Sequence, residues 1–228
     1  MPRAEKLTQA TEDYLKAIYE LQGNDHRSVT TNALARRLSY APASVTGMLK
    51  KLATHEPNLV NYTRHQGVTL TVSGEKIALE IIRHHRLIEL YLADALGYSW
   101  DEVHDEAETL EHVISEEFED RIASKLGDPQ LDPHGEPIPT KGGAMATPGG
   151  ARLSNLAPGQ SGVIVRVLDE DPDLLRYLAT LGMQPREHIM VTDRAPFGGP
   201  IYVRASSGDV QALGRQVTDS IYLRLDEP

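Results

Sequence analysis

Apolar side chains recur at helical spacing through much of the first half of the chain and alternate with a period of two towards its end. Tyr14, Leu15, Ile18 and Leu21, with Thr11 as N-cap and Glu12 and Asp13 in the first turn, predict a helix over 11–22 that stops before Gly23. A short helix over 31–38, a turn at Ser39-Tyr40-Ala41 and a helix over 42–52 opened by Pro42 follow. Ala35, Leu38, Val45, Leu49 and Leu52 supply their shared core, while Ser44, Thr46, Gly47, Lys50 and Lys51 face outward. That is the layout of a helix-turn-helix. Leu59–Tyr62 and Val68–Thr71, joined by the polar turn 63–67, predict a hairpin in the position of a wing.

Two longer amphipathic stretches come next. Ile77, Ile81, Leu87 and Leu90 predict a helix over 73–96 closed by Gly97, and Val103, Ala107, Leu110, Ile114 and Phe118 predict a single helix over 100–126. Together they offer more apolar surface than a small unit can cover, so a homodimer is expected. Residues 127–150 hold five of the fourteen prolines and six of the eighteen glycines and predict a loop or linker with little regular structure. Beyond it, Gly162–Val167, His188–Val191, Ile201–Arg204 and Ile221–Leu225 alternate as short strands. Asp171 and Pro172 open one helix that ends before Gly182. The expected class is mainly α with a β domain: a winged helix-turn-helix over 1–72, a helical dimerisation and metal-binding domain over 73–140, a linker over 141–152, and an SH3-like small β-barrel over 153–228.

Charge sharpens this division. The net charge of −10 is distributed as +2 over 1–75, −11 over 76–140 and −1 over 141–228, so the winged helix is the one segment suited to a polyanion. Helix-turn-helix, wing and local positive charge together favour double-stranded DNA, with phosphate contacts expected from Arg36, Arg37, Lys50, Lys51 and the wing residue Arg64. No apolar run is long enough to span a membrane, no signal-peptide core follows Met1, and a cytoplasmic location is expected. The absence of cysteine excludes disulfides and thiolate ligands, leaving oxygen and nitrogen as the donors for any metal.

Such donors are concentrated in His104-Asp105-Glu106-Ala107-Glu108-Thr109-Leu110-Glu111-His112. On a continuous helix, His104, Glu108, Glu111 and His112 would share an arc of about 100°. An acidic solvated face with two incidental histidines would show the same spacing. His85 and Glu89 stand one turn apart and can grip one ion, or simply stabilise their helix, while His84 points elsewhere. A metallohydrolase is disfavoured because His-Glu-x-x-His is absent. A metal-independent DNA-binding protein remains an alternative.

In order along the chain, the winged helix, His85-x-x-x-Glu89, the His104–His112 cluster, Pro133-His-Gly-Glu-Pro-Ile-Pro139 and the terminal SH3-like module resemble the diphtheria-toxin-repressor family of metal-dependent regulators. The resemblance implies a non-enzymatic repressor of metal-homeostasis genes with no small-molecule substrate. It implies a primary site of Asp13, Glu108, Glu111 and His112, and an ancillary site of His85, Glu89 and His104 completed from the terminal domain, where Glu170 is the match. Iron-sensing members are expected to carry methionine and cysteine at the Asp13 and Glu108 positions and manganese sensors carboxylates, so Mn(II) is the expected ion and Fe(II) the alternative. Lys16 stands where small two-domain manganese sensors have a further glutamate, which argues against a paired-metal site. Gly47 stands where a longer polar side chain is common, leaving base contacts to Ala41, Pro42, Ser44 and Thr46.

Overall fold

A computed structural model describes residues 7–23, 25–168, 171–206 and 208–226. Its backbone packing divides the chain into two compact units: 1–84 with 111–113 and 139–144, and 85–110 with 114–138 and 145–228.

The first unit opens on α1 (Gln9–Gln22), which begins two residues earlier than expected. Thr8, not Thr11, is the N-cap: its Oγ1 accepts from the Thr11 amide at 3.3 Å. Thr11 is thereby drawn into the helix, where it is buried. The pair α2 (Thr31–Arg37) and α3 (Pro42–Ala53) follows, capped by Thr30 and by Ala41 before Pro42. Strands β1 (Val60–Thr63) and β2 (Gly67–Leu70) form an antiparallel hairpin in the register Val60↔Leu70, with Val29 bridging to Val68. Leu15, Ile18, Leu34, Val45, Leu49 and Val68 are fully buried in the shared core, as the helical and alternating patterns require. Gly74, near the start of α4 (Val72–Leu96), has no room for a side chain, since a Cβ would lie 2.0 Å from the Leu59 carbonyl oxygen.

The helix expected over 100–126 is instead two, α5 (Val103–Leu110) and α6 (Glu116–Lys125). Ser115 makes the break. Its backbone is extended (φ −93°, ψ 156°) and its Oγ accepts from the Phe118 amide at 3.2 Å, so it caps a new helix whose first turn carries Glu116, Glu117 and Glu119. The apolar stripe is therefore interrupted: Val103 and Ala107 are fully buried, whereas Val113 is 66% and Phe118 45% exposed. His104, Glu108, Glu111 and His112 cannot share one helical face, because Glu111 and His112 lie past the end of α5.

The terminal part of the second unit is a six-stranded antiparallel sheet of the SH3-like class, in the order β3-β8-β4-β5-β6-β7. The strands are β3 (Ala151–Arg152), β4 (Ser161–Val167), β5 (His188–Arg194), β6 (Ile201–Ala205), β7 (Val210–Leu213) and β8 (Ile221–Leu225). Asp171 caps α7 (Pro172–Thr180), and α8 (Arg215–Ser220) precedes β8. Leu153, Val167, Leu175, Leu178, Met183, Ile189, Val203 and Ile221 fill its core. Three features were not anticipated: β3, which draws Ala151 and Arg152 into the sheet, the half-exposed β7, and the short α8.

The proline-rich stretch carries little regular structure, yet it is fixed. Leu131 bridges to Pro137, the Val167 amide donates to the His134 carbonyl at 2.9 Å, and Gly135 adopts φ +88°. The backbone there runs so close to β4 that a Cβ on Gly135 would meet the Val165 oxygen at 2.0 Å. No helix among the described residues is long and apolar enough to cross a membrane.

Candidate metal centre

Within the first unit, α1 and the turn after α5 bring Asp13, Glu111 and His112 together, with one potential ligand atom from each lying within 4.8 Å of the others. His112 is the hub. Its Nε2 is 2.9 Å from Asp13 Oδ1 and 3.3 Å from Glu111 Oε1, while its Nδ1 is 2.7 Å from Glu12 Oε2. With Nδ1 donating to Glu12, Nε2 is the ring atom that would turn to a cation held among these carboxylates. A carboxylate behind a ligating imidazole fixes a metal-binding histidine in this way. His84 Nδ1 donates to the Glu111 carbonyl at 3.1 Å, holding the turn, which is the separate direction expected of it. Glu111 is 1% exposed and accepts from Lys16.

A second cluster lies wholly within the second unit. His85 Nε2 is 2.9 Å from Glu89 Oε1 and 3.1 Å from His104 Nδ1, and His104 Nδ1 is 3.3 Å from the same carboxylate oxygen. The other oxygen, Glu89 Oε2, is buried with no hydrogen-bond partner and faces His134 Nδ1 at 4.0 Å. Glu89, Asp132 and His134 also offer ligand atoms within 4.8 Å of one another, all three buried. Burial alone would raise the Glu89 carboxyl, but the His85 charge, hydrogen bonds from His104 and His85, and the field of His134 outweigh it and hold it well below the usual carboxylate range. This donor set of carboxylate and imidazole suits a hard divalent cation.

The remaining expected ligands are placed differently. Glu108 lies in the second unit on the last turn of α5, half exposed, with Oε1 3.9 Å from His104 Nε2. Glu170 lies outside the described residues. Reading the sequence missed Glu12, Asp132 and His134. Glu12 looked like an ordinary first-turn acid, and the other two sit in a stretch read as loop, although Pro133-His134-Gly135 was conspicuous within it.

On the helix-turn-helix, Arg36, Ala41, Pro42, Ser44, Gly47, Lys50 and Lys51 are exposed, as is Arg64 in the turn of the wing. Thr46 is half buried and its hydroxyl donates to the Pro42 carbonyl at 2.9 Å; Arg37 pairs with Glu20 at 2.9 Å.

The comparisons follow the same divisions. Family models described as the N-terminal DNA-binding domain of iron-dependent repressors, their metal-binding and dimerisation domain, and the FeoA domain match residues 6–68, 71–140 and 151–225. The iron-dependent repressor IdeR of Mycobacterium leprae is 32% identical over 209 residues, covering 86% of this chain and 89% of that one. The diphtheria toxin repressor of Corynebacterium glutamicum is 35% identical over 137 residues, 60% of this chain and 58% of its own length. A solved structure described as a manganese-dependent transcriptional repressor in complex with manganese superposes with a TM-score of 0.86 at 40% identity, covering 94% of this chain and 99% of that one. ScaR with bound Cd2+ gives 0.78 at 32% identity, covering 96% and 99%. With its DNA-binding, metal-binding and dimerisation, and FeoA segments all matched in order, the chain belongs to the diphtheria-toxin-repressor family of metal-dependent transcriptional repressors.

Proposed function

We propose that the chain is a cytoplasmic, homodimeric, manganese(II)-dependent repressor of metal-uptake and metal-homeostasis genes. The observation that carries this reading is the all-oxygen-and-nitrogen cluster of Asp13, Glu111 and His112 in a chain without cysteine. The family resemblance would add Glu108 as a further carboxylate, and the similar structure at 40% identity is described as holding manganese. Because Mn(II) binds most weakly in the divalent series, selection rests on ligand hardness and geometry rather than on affinity. Fe(II) is the second reading, favoured by the iron-dependent relatives at 32% and 35% identity.

In this reading Asp13, from the helix that packs under the helix-turn-helix, joins Glu108, Glu111 and His112, from the segment matched as metal-binding and dimerisation. A divalent ion supplies the positive charge that lets these carboxylates approach without repulsion. The ligands thereby tie each reading head to the dimer. Two recognition helices enter successive major grooves only when spaced by roughly 34 to 36 Å, and ligation raises the population of dimers that meet this spacing. His85, Glu89 and His104, with Asp132 and His134, form a second holding site that stiffens the junction of helices and sheet. Arg36, Lys50, Lys51 and Arg64 contact phosphates; Ala41, Pro42, Ser44, Thr46 and Gly47 line the base-reading face.

One titration tests the proposal: operator DNA binding by metal-stripped protein against Mn(II), Fe(II), Co(II) and Zn(II) under reducing conditions. Mn(II) is expected to restore tight binding at the concentration at which the Asp13 cluster fills. Metal-stripped protein that binds operator as tightly as loaded protein overturns metal dependence, and activation by Fe(II) alone establishes the second reading.

A further inference from the structure

Lys16, one turn after Asp13 on α1, places its ammonium squarely on the Glu111 carboxylate. Nζ donates to Oε1 at 3.0 Å and to Oε2 at 2.8 Å, and the two side chains are 9% and 1% exposed. Buried lysines are rare, and they persist where a carboxylate compensates the lost hydration. Here the compensating carboxylate is also one of the three donors of the cluster, with Oε1 3.3 Å from His112 Nε2. Glu12, Asp13 and Glu111 crowd three carboxylates around one imidazole, and Lys16 is the cation paired with the last of them.

Both oxygens of Glu111 are thus engaged by an internal cation. An ion seated between Asp13, Glu111 and His112 needs at least one of them, and the ammonium already there repels a second cation, so the two compete for Glu111. A lysine ammonium is a point charge on a flexible four-carbon stem with rotatable donors, and it can withdraw without moving the backbone. We infer that Lys16 is an internal competitor for the ion at Asp13, Glu111 and His112, holding Glu111 closed until a divalent cation displaces it and so setting the metal concentration at which the site fills. The inference rests on reading that cluster as a metal site. The competing account, an ion pair that merely orients Glu111, has the opposite sign: there, removing the ammonium leaves metal affinity unchanged or weaker.

The test uses the full-length, metal-stripped protein and Mn(II) alone. Calorimetric titration of Lys16→Met and Lys16→Gln is expected to show the ion tied to Asp13 binding about ten-fold more tightly than in the unaltered chain, since the fraction of protein able to bind no longer divides the affinity. The metal-free melting temperature falls, and the rise on adding Mn(II) grows. Unchanged or weaker affinity overturns the inference. Should both variants fail to fold, amine labelling of the unaltered protein read by mass spectrometry decides: Lys16 labels faster with Mn(II) if it is displaced, and equal or slower labelling overturns the inference. The underlying reading fails separately, when Asp13→Ala in the unaltered background binds the same number of Mn(II) ions with the same affinities.

Discussion

His134 donates from Nε2 to the backbone carbonyl of Trp100 at 2.7 Å, with the two rings stacked at 5.6 Å between centroids. A carbonyl only accepts, so this bond keeps a proton on Nε2 and leaves Nδ1 as the ring atom that faces Glu89. Trp100 is the single tryptophan of the chain, which makes it a reporter for this cluster. Mn(II) added to metal-stripped protein should change its emission, and His134→Ala or Asp132→Ala should abolish the change and lower the Mn(II) stoichiometry by one per chain. Asp13→Ala should leave the signal intact. An emission change that survives His134→Ala excludes His134 from the site.

The roles of Asp13 and Glu12 are expected to separate by magnitude. Asp13→Ala removes a ligand and should weaken Mn(II)-stimulated operator binding by at least about 100-fold. Glu12→Gln, which weakens only the hydrogen bond that orients His112, should cost about 10- to 100-fold in metal affinity. Size-exclusion chromatography with light scattering should show both variants dimeric, because neither residue lies in the helices expected to pair. Fluorescence anisotropy with labelled operator across an Mn(II) series measures the difference, and equal losses would mean that Glu12 is itself a ligand.

Legibility follows the range of the interaction that decides each feature. The helix-turn-helix and wing are set by apolar periodicity and turn residues, and Pro42 and Gly97 mark boundaries where they were expected. The break before α6 was missed because Leu110, Ile114 and Phe118 keep four-residue spacing across it. Ser115 and the acids behind it form a stronger local signal than that stripe. Glu12 meets His112 across 100 positions, and no local pattern announces such a contact. Asp132 and His134 belong to a stretch whose order comes from docking on β4, a tertiary effect that prolines and glycines alone read as linker. Strand β7 escaped notice because polarity does not follow burial along it: the apolar Val210 and Ala212 are exposed while the polar Gln211 is partly buried.

DNA contacts should divide by whether the cation is already engaged. Lys50 is exposed on α3, whereas Arg37 is held by Glu20 at 2.9 Å. Lys50→Ala should weaken binding at specific and unrelated sequences alike and shallow the slope of log affinity against log salt by about 1. Arg37→Ala should change that slope less, and its exposed ion pair contributes only about 0–1 kcal/mol to stability. Equal slopes for the two variants, measured from 50 to 200 mM salt as ~10-fold or larger affinity losses, would show that Arg37 leaves Glu20 for the phosphates.

Gly135 links the second cluster to the sheet through a constraint no other residue satisfies. Its φ of +88° lies in the left-handed region, and a Cβ would sit 2.0 Å from the Val165 oxygen and 2.9 Å from its carbonyl carbon. These are backbone atoms of β4, so no side chain can swing aside. Alanine there must push the loop off the strand, stretching the bond from the Val167 amide to the His134 carbonyl and moving the His134 ring away from Glu89. Strain and a lost hydrogen bond together should destabilise the protein by about 2–4 kcal/mol. Gly127, whose φ is +76° but whose Cβ would meet nothing, is the control: its alanine variant bears the conformational cost alone, about 1 kcal/mol. Denaturant unfolding of both variants measures the gap. The Trp100 response to Mn(II) should be lost in Gly135→Ala and kept in Gly127→Ala, and two variants of equal stability and equal response would show that the loop does not position His134.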